Sequence, residues 1–331
     1  MTDVLAVIGG GSWGTALALV LAARFQRVNL WVREPEIVSC IRSNRENSVY
    51  LPGFPLPPAV LPTAEIAEAL DGAGIVLSVV PSTHVREIYR RMAPWIRPEM
   101  RLVSATKGLE NQSLLRMTQV IREVLPFPAV VAALSGPSFA REVARGAPTA
   151  IVVASEDLGL AKAIQHACSG PTLRLYTNAD VIGVELGGAL KNVIAIGAGV
   201  CQGLGLGPNA LAALVTRGLA EMTRLSVAMG GDPRTLAGLA GMGDLVLTCH
   251  GELSRNRMVG IELAKGRKLS EIVGSMTMVA EGIETTRAAV ELAGRHQVEM
   301  PIAEQMHAML HLGRSPAEAI RILMERNLKS E

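Results

Sequence analysis

The chain has 331 residues, enough for two domains and a large core; 49% are hydrophobic but only 3% aromatic, so that core has to be built from Ala, Val, Leu, Ile and Met, which favours α/β and all-α architectures over aromatic-rich sandwiches. A formal net charge of +2, with no run of like charges, excludes bulk attraction to nucleic acid or anionic lipid and leaves a small anion held by a few placed cations. Cys40, Cys168, Cys201 and Cys249 are too scattered for a metal or redox pair, so reduced, buried thiols in a cytoplasmic protein are expected, with no metal site.

The chain runs straight into an apolar strand at Val4–Ile8 with no basic segment before it, so no signal peptide is expected. That strand ends in Gly9-x-Gly11-x-x-Gly14, followed by a helical pattern to Arg24 and a second strand at Val28–Val32. Strand, glycine turn, helix, strand is the context a dinucleotide-binding fingerprint needs: Gly9 for the tight turn, Gly11 for close approach of a pyrophosphate, Gly14 for helix–sheet packing. Ser12 and Trp13 fill the variable slots and are expected to touch the cofactor, although packing would serve Trp13 equally well. After the second strand comes Trp31-Val32-Arg33-Glu34. Arg33 suits a 2′-phosphate, so NADP is accepted besides NAD; a solvated arginine opening the next helix is the alternative.

Further strands are expected at Ile75–Val80, Leu102–Ala105, Val130–Leu134, Ala150–Ala154 and Leu173–Tyr176, separated mostly by helical patterns, as in a doubly wound, mostly parallel sheet. The proline-rich Leu51–Pro62 reads as a loop over this domain. Two strand ends carry groups capable of chemistry, Ser104-Ala-Thr-Lys107-Gly-Leu-Glu110 and Ser135-Gly136-Pro137-Ser138-Phe-Ala140. Ligands of open α/β sheets bind beyond the carboxyl ends of strands, which places both near the reactive end of a cofactor. Taken alone, Lys107 is a surface lysine and Ser135–Ser138 a turn capping the next helix.

After Asp180 strand signals stop and helical patterns dominate. In Glu185–Gly199, the residues Gly187, Gly188, Ala195 and Gly199 share a helical face with Lys191. Two adjacent helical glycines cost roughly 2 kcal/mol relative to alanines, so another body has to approach the backbone there. Either that body is a second helix and Lys191 snorkels to solvent, or it is a ligand and Lys191 points at a reacting oxygen. Asn192–Thr216 is uncharged and long enough to span a membrane, but five glycines, Pro208, Asn209 and Gln202 argue for a break instead. Asn209–Ala228 is amphipathic, with Arg217, Glu221 and Arg224 spaced as a charge ladder. Gly238–Asp244 is a glycine-rich turn presenting a carboxylate, and Ser254 fits the N-cap of a helix whose first turn holds Arg255 and Asn256, where free amides attract phosphate. In isolation that tetrad is an ordinary capped helix.

Together these motifs resemble the bacterial type of NAD(P)-dependent glycerol-3-phosphate dehydrogenase. The resemblance spans nearly the whole chain, through Gly9-Gly-Gly-Ser-Trp-Gly-Thr15, Ala105-Thr-Lys-Gly-Leu-Glu110, Leu134-Ser-Gly-Pro-Ser-Phe-Ala140, Leu186-Gly-Gly-Ala-Leu-Lys-Asn-Val193, Thr216-Arg-Gly-Leu-Ala-Glu-Met222, Ala240-Gly-Met-Gly-Asp-Leu-Val-Leu-Thr-Cys249, Ser254-Arg-Asn-Arg257 and Val279-Ala-Glu-Gly-Ile-Glu284. It implies an α/β fold, with a Rossmann-like doubly wound, mostly parallel sheet over residues 1–179 and an all-helical substrate domain over 180–331. It implies reversible reduction of dihydroxyacetone phosphate by NADPH or NADH to sn-glycerol 3-phosphate, for glycerophospholipid synthesis, by a cytoplasmic homodimer with no nucleic-acid partner and no membrane insertion. By the same resemblance Lys191 is the general acid/base, and burial of a lysine on so bare a face would bring its proton within reach of the working pH. Lys107, Gly136, Ser138, Asp244, Ser254, Arg255 and Asn256 would hold the substrate beside it, with Asn192 and Thr248 as further candidates. Ser12, Trp13, Arg33, Lys107, Ala140, Arg255, Val279 and Glu281 would contact the cofactor.

Two other readings compete. A related two-domain dehydrogenase, of the 6-phosphogluconate or 3-hydroxyisobutyrate type, shares the cofactor fold and a helical second domain. A non-enzymatic nicotinamide sensor would need an effector module, and no basic recognition helix stands out in the sequence.

Overall fold

The computed structural model describes residues 3–276 and 278–328. The chain divides into two compact units: one takes the residues up to Lys107 together with Leu115–Glu185, the other Gly108–Leu114 and everything from Leu186 on.

The first unit is built on an eight-stranded sheet of β1 (Val4–Ile8), β2 (Arg27–Trp31), β3 (Val60–Thr63), β4 (Ile75–Ser78), β5 (Arg101–Ser104), β6 (Val131–Ser135), β7 (Thr149–Ala154) and β8 (Leu173–Asn178), in the order β3-β2-β1-β4-β5-β6-β7-β8. All neighbours pair in parallel except β6 and β7. Alternate side chains of β1 serve opposite faces. Leu5 and Val7 join one apolar cluster with Leu17 and Ile41, while Ala6 and Ile8 join another with Tyr89 and Ile121. Burial on both faces is why these strands read as apolar runs rather than as alternating ones.

One expectation fails here. Val60–Thr63, at the end of the segment read as a loop, is an edge strand. Pro62 lies opposite Leu30 in its register. An edge strand needs ladder bonds on one side only, so the missing N–H of proline is tolerated there and disguises the strand in the sequence. The helix Met117–Val124 is tied to Glu185 by a buried ion pair: Glu185 Oε2 accepts from Arg116 Nη1 at 2.6 Å and Thr118 Oγ1 at 2.7 Å, and its Oε1 from the Thr118 amide at 2.8 Å.

The second unit is helical. Helix Val181–Gly203 continues into it and carries Lys191. By length and composition this helix could cross a membrane, and 94% of its most apolar window is buried in the fold. The span 192–216 is broken, as expected, at Gly205, whose φ of +69° ends the helix before Gly207–Ala228 begins with Pro208 in its first turn.

The glycine-rich face of Val181–Gly203 receives other backbone directly. A methyl at Gly187 would overlap the Ala240 carbonyl oxygen. One at Gly199 would overlap the Arg257 carbonyl oxygen and stand 2.9 Å from the Gly260 Cα, while one at Gly260 would overlap the carbonyl oxygen of Ile196. The body approaching this face is therefore helix backbone, yet Lys191 does not snorkel: the residue is 6% exposed. Of the cysteines, Cys168, Cys201 and Cys249 are buried free thiols, but Cys40 is only half-buried.

The charge ladder of Arg217, Glu221 and Arg224 does not form. Glu221 turns inward, 2% exposed, and its carboxylate accepts from the amides of Ile302 at 2.8 Å and Ala303 at 3.2 Å, at the start of helix Pro301–His311. Arg224 instead donates to the Glu299 carbonyl. Burial pushes the Glu221 carboxyl up to about 7 even though two amides hold its charged form. A carboxyl whose folded value lies above its unfolded one takes up a proton on folding. Its contribution is complete below the unfolded value near 4.5 and is lost as pH rises through about 7, roughly 3 kcal/mol in all. Glu221→Gln keeps an acceptor for the helix start and removes the titration. Urea unfolding at pH 5 and pH 8 should therefore show a smaller loss of stability with rising pH in the variant than in the wild type, and equal losses would mean that Glu221 does not titrate in this range.

Candidate active site

In the first unit, β1 hands the chain to Gly9, whose φ of +123° and closeness to the Val79 carbonyl (2.6 Å from an added methyl) exclude any side chain. A methyl at Gly14 would overlap the Gly9 carbonyl, whereas one at Gly11 would meet nothing within 4 Å. Gly11 also precedes helix Ser12–Leu21, whose N-cap offers no side chain to the first amides. An open backbone over uncapped amides is the cradle a pyrophosphate requires. The turn is fixed from behind by Asn47, whose Nδ2 donates to the Gly10 carbonyl at 2.8 Å and to Thr15 Oγ1 at 2.9 Å. The sequence carries no local sign of this role for Asn47.

Around the cradle, Ser12 Oγ donates to the Tyr50 carbonyl at 2.6 Å. Trp13 Nε1 is buried with no hydrogen-bond partner, a donor left for a ligand or a water. Arg33, just past β2, is exposed and forks onto the adjacent Glu34. These features fit a dinucleotide.

Beyond β5 and β6, Lys107 Nζ donates to the Gly136 carbonyl at 2.8 Å and to Ser138 Oγ at 3.3 Å, and Ser138 Oγ donates to the same carbonyl at 2.8 Å. Three expected site residues thus meet through hydrogen bonds. Ser135–Ser138 does not cap the following helix: Ala140–Ala144 has Phe139 at its N-cap and no side-chain cap bond, because the Ser138 hydroxyl is turned to Gly136. Helix Ala140–Ala144 packs beside Ser12–Leu21, with Ala140 half-buried.

In the second unit the chemistry centres on Lys191. Its Nζ donates to Asp244 Oδ1 at 2.5 Å and Thr248 Oγ1 at 3.0 Å, and the Thr248 hydroxyl donates to the Asp244 carbonyl at 2.6 Å. Asp244 is 0% exposed. Both members of this pair are buried, so what the contact fixes is the position of each side chain. Leu239–Gly243, wound with the wider π-type spacing, delivers Asp244 to the start of helix Asp244–His250. Burial pushes the neighbouring Cys249 thiol up to about 12, so it is no nucleophile.

Ser254 caps helix Arg255–Ala264, its Oγ accepting from the Arg257 amide at 3.2 Å, as expected. Asn256 is more committed than its spacing suggests. Its Nδ2 donates to Asn192 Oδ1 at 2.9 Å and its Oδ1 accepts from the Gly282 amide at 3.0 Å. It thereby joins the Lys191 helix to the start of Glu281–Arg295, leaving one amide hydrogen for a ligand. A methyl at Gly282 would stand 2.6 Å from the Asn192 carbonyl, so only glycine fits that junction. Arg255 is exposed, and its Nη1 donates to the Val279 carbonyl at 2.7 Å, two residues before the half-buried Glu281. No group of three or more His, Cys, Asp or Glu side chains able to hold a metal ion occurs among the described residues.

Residues 4–161 match the family model described as NAD-dependent glycerol-3-phosphate dehydrogenase N-terminus, and residues 180–321 match its C-terminus counterpart. A glycerol-3-phosphate dehydrogenase [NAD(P)+] of Koribacter versatilis is 58% identical over 99% of this chain and 98% of its own length. The protein of the same name from Citrifermentans bemidjiense is 54% identical over 100% of this chain and 99% of its own. Among solved structures, glycerol-3-phosphate dehydrogenase from Coxiella burnetii superposes with a TM-score of 0.94 at 42% identity, covering 98% of this chain and 99% of that one. A ketopantoate reductase from Ralstonia eutropha, at 18% identity and a TM-score of 0.59, shares the fold alone.

Proposed function

Because this chain belongs to the NAD-dependent glycerol-3-phosphate dehydrogenase family, we propose that Lys191 is the acid and base of the reversible reduction of dihydroxyacetone phosphate to sn-glycerol 3-phosphate. The activity is that of an NAD(P)-dependent oxidoreductase. A bound nicotinamide would supply the hydride chemistry at the substrate's carbonyl carbon. Everything else falls to the chain's own side chains.

Lys191 Nζ gives a proton to the carbonyl oxygen as that oxygen gains charge, so ketone becomes alcohol, and recovers it in the oxidation. The observation that carries this role is its bond to Asp244 and Thr248 inside the helical unit, which aims Nζ and fixes its place. Lys107, steadied by Gly136 and Ser138, adds a second cation for the substrate's oxygens. The phosphate is held by Arg255 and the remaining Asn256 amide hydrogen at a helix start capped by Ser254. Ser12, Trp13 and Arg33, with Ala140, Val279 and Glu281, serve the cofactor; the uncovered Gly11 and the unpartnered Trp13 donor support that part of the reading. A cytoplasmic homodimer, without insertion into a membrane, is the form this reading entails, supplying a precursor of glycerophospholipids. A solution mass of one chain by sedimentation would exclude the dimer.

Lys191→Met should abolish turnover while the protein still binds NADPH. Loss of a general acid costs on the order of 10² to 10⁴-fold in rate, and loss of a cation at the oxyanion adds to it. A folded Lys191→Met protein with wild-type kcat would remove the lysine from the mechanism. Arg255→Ala should raise KM for dihydroxyacetone phosphate sharply and leave the weak turnover of unphosphorylated dihydroxyacetone nearly unchanged, because binding energy from the phosphate orients the carbonyl. Lysine at this position should rescue only in part, lacking the planar fork. Equal losses on both substrates would place the phosphate elsewhere.

A further inference from the structure

Beside the cofactor cradle stands a carboxylate that the proposed mechanism leaves without a task. Glu34 Oε1 accepts from Arg33 Nε at 2.8 Å and from Arg33 Nη2 at 2.6 Å, so one oxygen takes both prongs of the guanidinium. The arginine side chain is 65% exposed and the glutamate 28%. Glu34 occupies the N-cap position of helix Pro35–Asn44, yet its side chain makes no cap bond. The carboxylate therefore accepts from no amide of that helix start and is turned to Arg33 instead. Glu34 also lies about twenty residues beyond Gly14, just past the end of β2, where dinucleotide folds place the acid that accepts from the ribose 2′-hydroxyl.

The two side chains make opposite demands on the ribose 2′ position. Arg33 offers a planar donor fork to a 2′-phosphate, but that fork is occupied, and the occupant is an anion. A 2′-phosphate has to draw Arg33 away from Glu34 or share it, and in either case sits close to a like charge. A 2′-hydroxyl meets no such conflict and can donate to Glu34. We infer that Glu34 is a specificity-determining residue, which by holding Arg33 lowers the advantage of the phosphorylated cofactor and so lets one site use both NADP and NAD. The inference rests on the reading that Arg33 faces the 2′ position.

An exposed ion pair is a weak latch, and this suits the task, because a firm one would shut the phosphorylated cofactor out. Loss of the competing bond and loss of the repulsion each change the phosphate's affinity severalfold. Together they amount to about five- to twentyfold in the preference for NADPH over NADH at low ionic strength, shrinking as salt shortens the screening length.

The test is the ratio of kcat/KM for NADPH to that for NADH, measured with dihydroxyacetone phosphate for the wild type, Glu34→Gln, Glu34→Ala and Arg33→Ala, at low and high ionic strength. Glu34→Gln should raise the ratio by the factor above, through a lower KM for NADPH with kcat unchanged, and the rise should fade at high salt. Glu34→Ala should raise it further by also weakening NADH, since alanine cannot accept from the 2′-hydroxyl. Arg33→Ala should lower the ratio. If Arg33→Ala lowers it and Glu34→Gln leaves it where it was, Glu34 has no part in selection and the inference falls while the reading of Arg33 stands. If neither variant moves the ratio, the reading of Arg33 falls and the inference with it. A change in kcat alone, equal for both cofactors, would make Glu34 a residue of the fold.

Discussion

The structure of the helical unit follows from the need to bury one ammonium group. A lysine that is 6% exposed is tolerated only if its charge is met, and Asp244, fully enclosed, meets it directly while Thr248 takes a second hydrogen. Such a pair contributes little to stability, because the desolvation of two ions offsets their attraction; what it fixes is position. The surroundings are organised to that end. Gly187 lets the turn before Asp244 lie against the Lys191 helix, and the facing Gly199 and Gly260 let helix Arg255–Ala264 cross it backbone to backbone. The asparagine pair of residues 192 and 256 then ties that crossing to Gly282. Lys191, the capped start of helix Arg255–Ala264 and the loop that precedes Glu281 are thus tied to one another by direct contacts.

Charge is placed economically. With a net charge of only +2, the chain has no broad positive field to draw in an anionic substrate or cofactor. The cations that the proposed function assigns to these ligands are instead each held in a defined pose by a neighbour: Lys107 by Gly136 and Ser138, Arg33 by Glu34, Arg255 by the Val279 carbonyl, Lys191 by Asp244. Preorganised donors lose little freedom when a ligand arrives, and a guanidinium held by a carbonyl keeps its charge available. Glu221 shows the opposite use of a buried charge. It serves no ligand and holds the start of helix Pro301–His311, and it titrates near neutrality because burial outweighs the two amides that face it.

What the sequence determined by itself is whatever depends on residues within a turn or two of one another. A glycine pattern after an apolar run, a serine before a helix, a glycine ending another helix and an apolar run buried on both faces are local signals. The dinucleotide turn, the Ser254 cap, the break at Gly205 and most strands of the sheet were legible for that reason. The edge strand Val60–Thr63 was not, since its short length and Pro62 mimic a loop, and only the pairing with β2 reveals it. Tertiary structure alone decided which partner each buried charge takes. Lys191 finds Asp244 across 53 residues, Glu185 finds Arg116 across 69, and Glu221 finds the Ile302 amide across 81. No helical spacing predicts such pairs; the spacing of Arg217, Glu221 and Arg224 pointed instead to a surface ladder. The inside and outside of a helix are assigned by what packs against it, and burial then compels each polar group to find whichever partner the fold brings near.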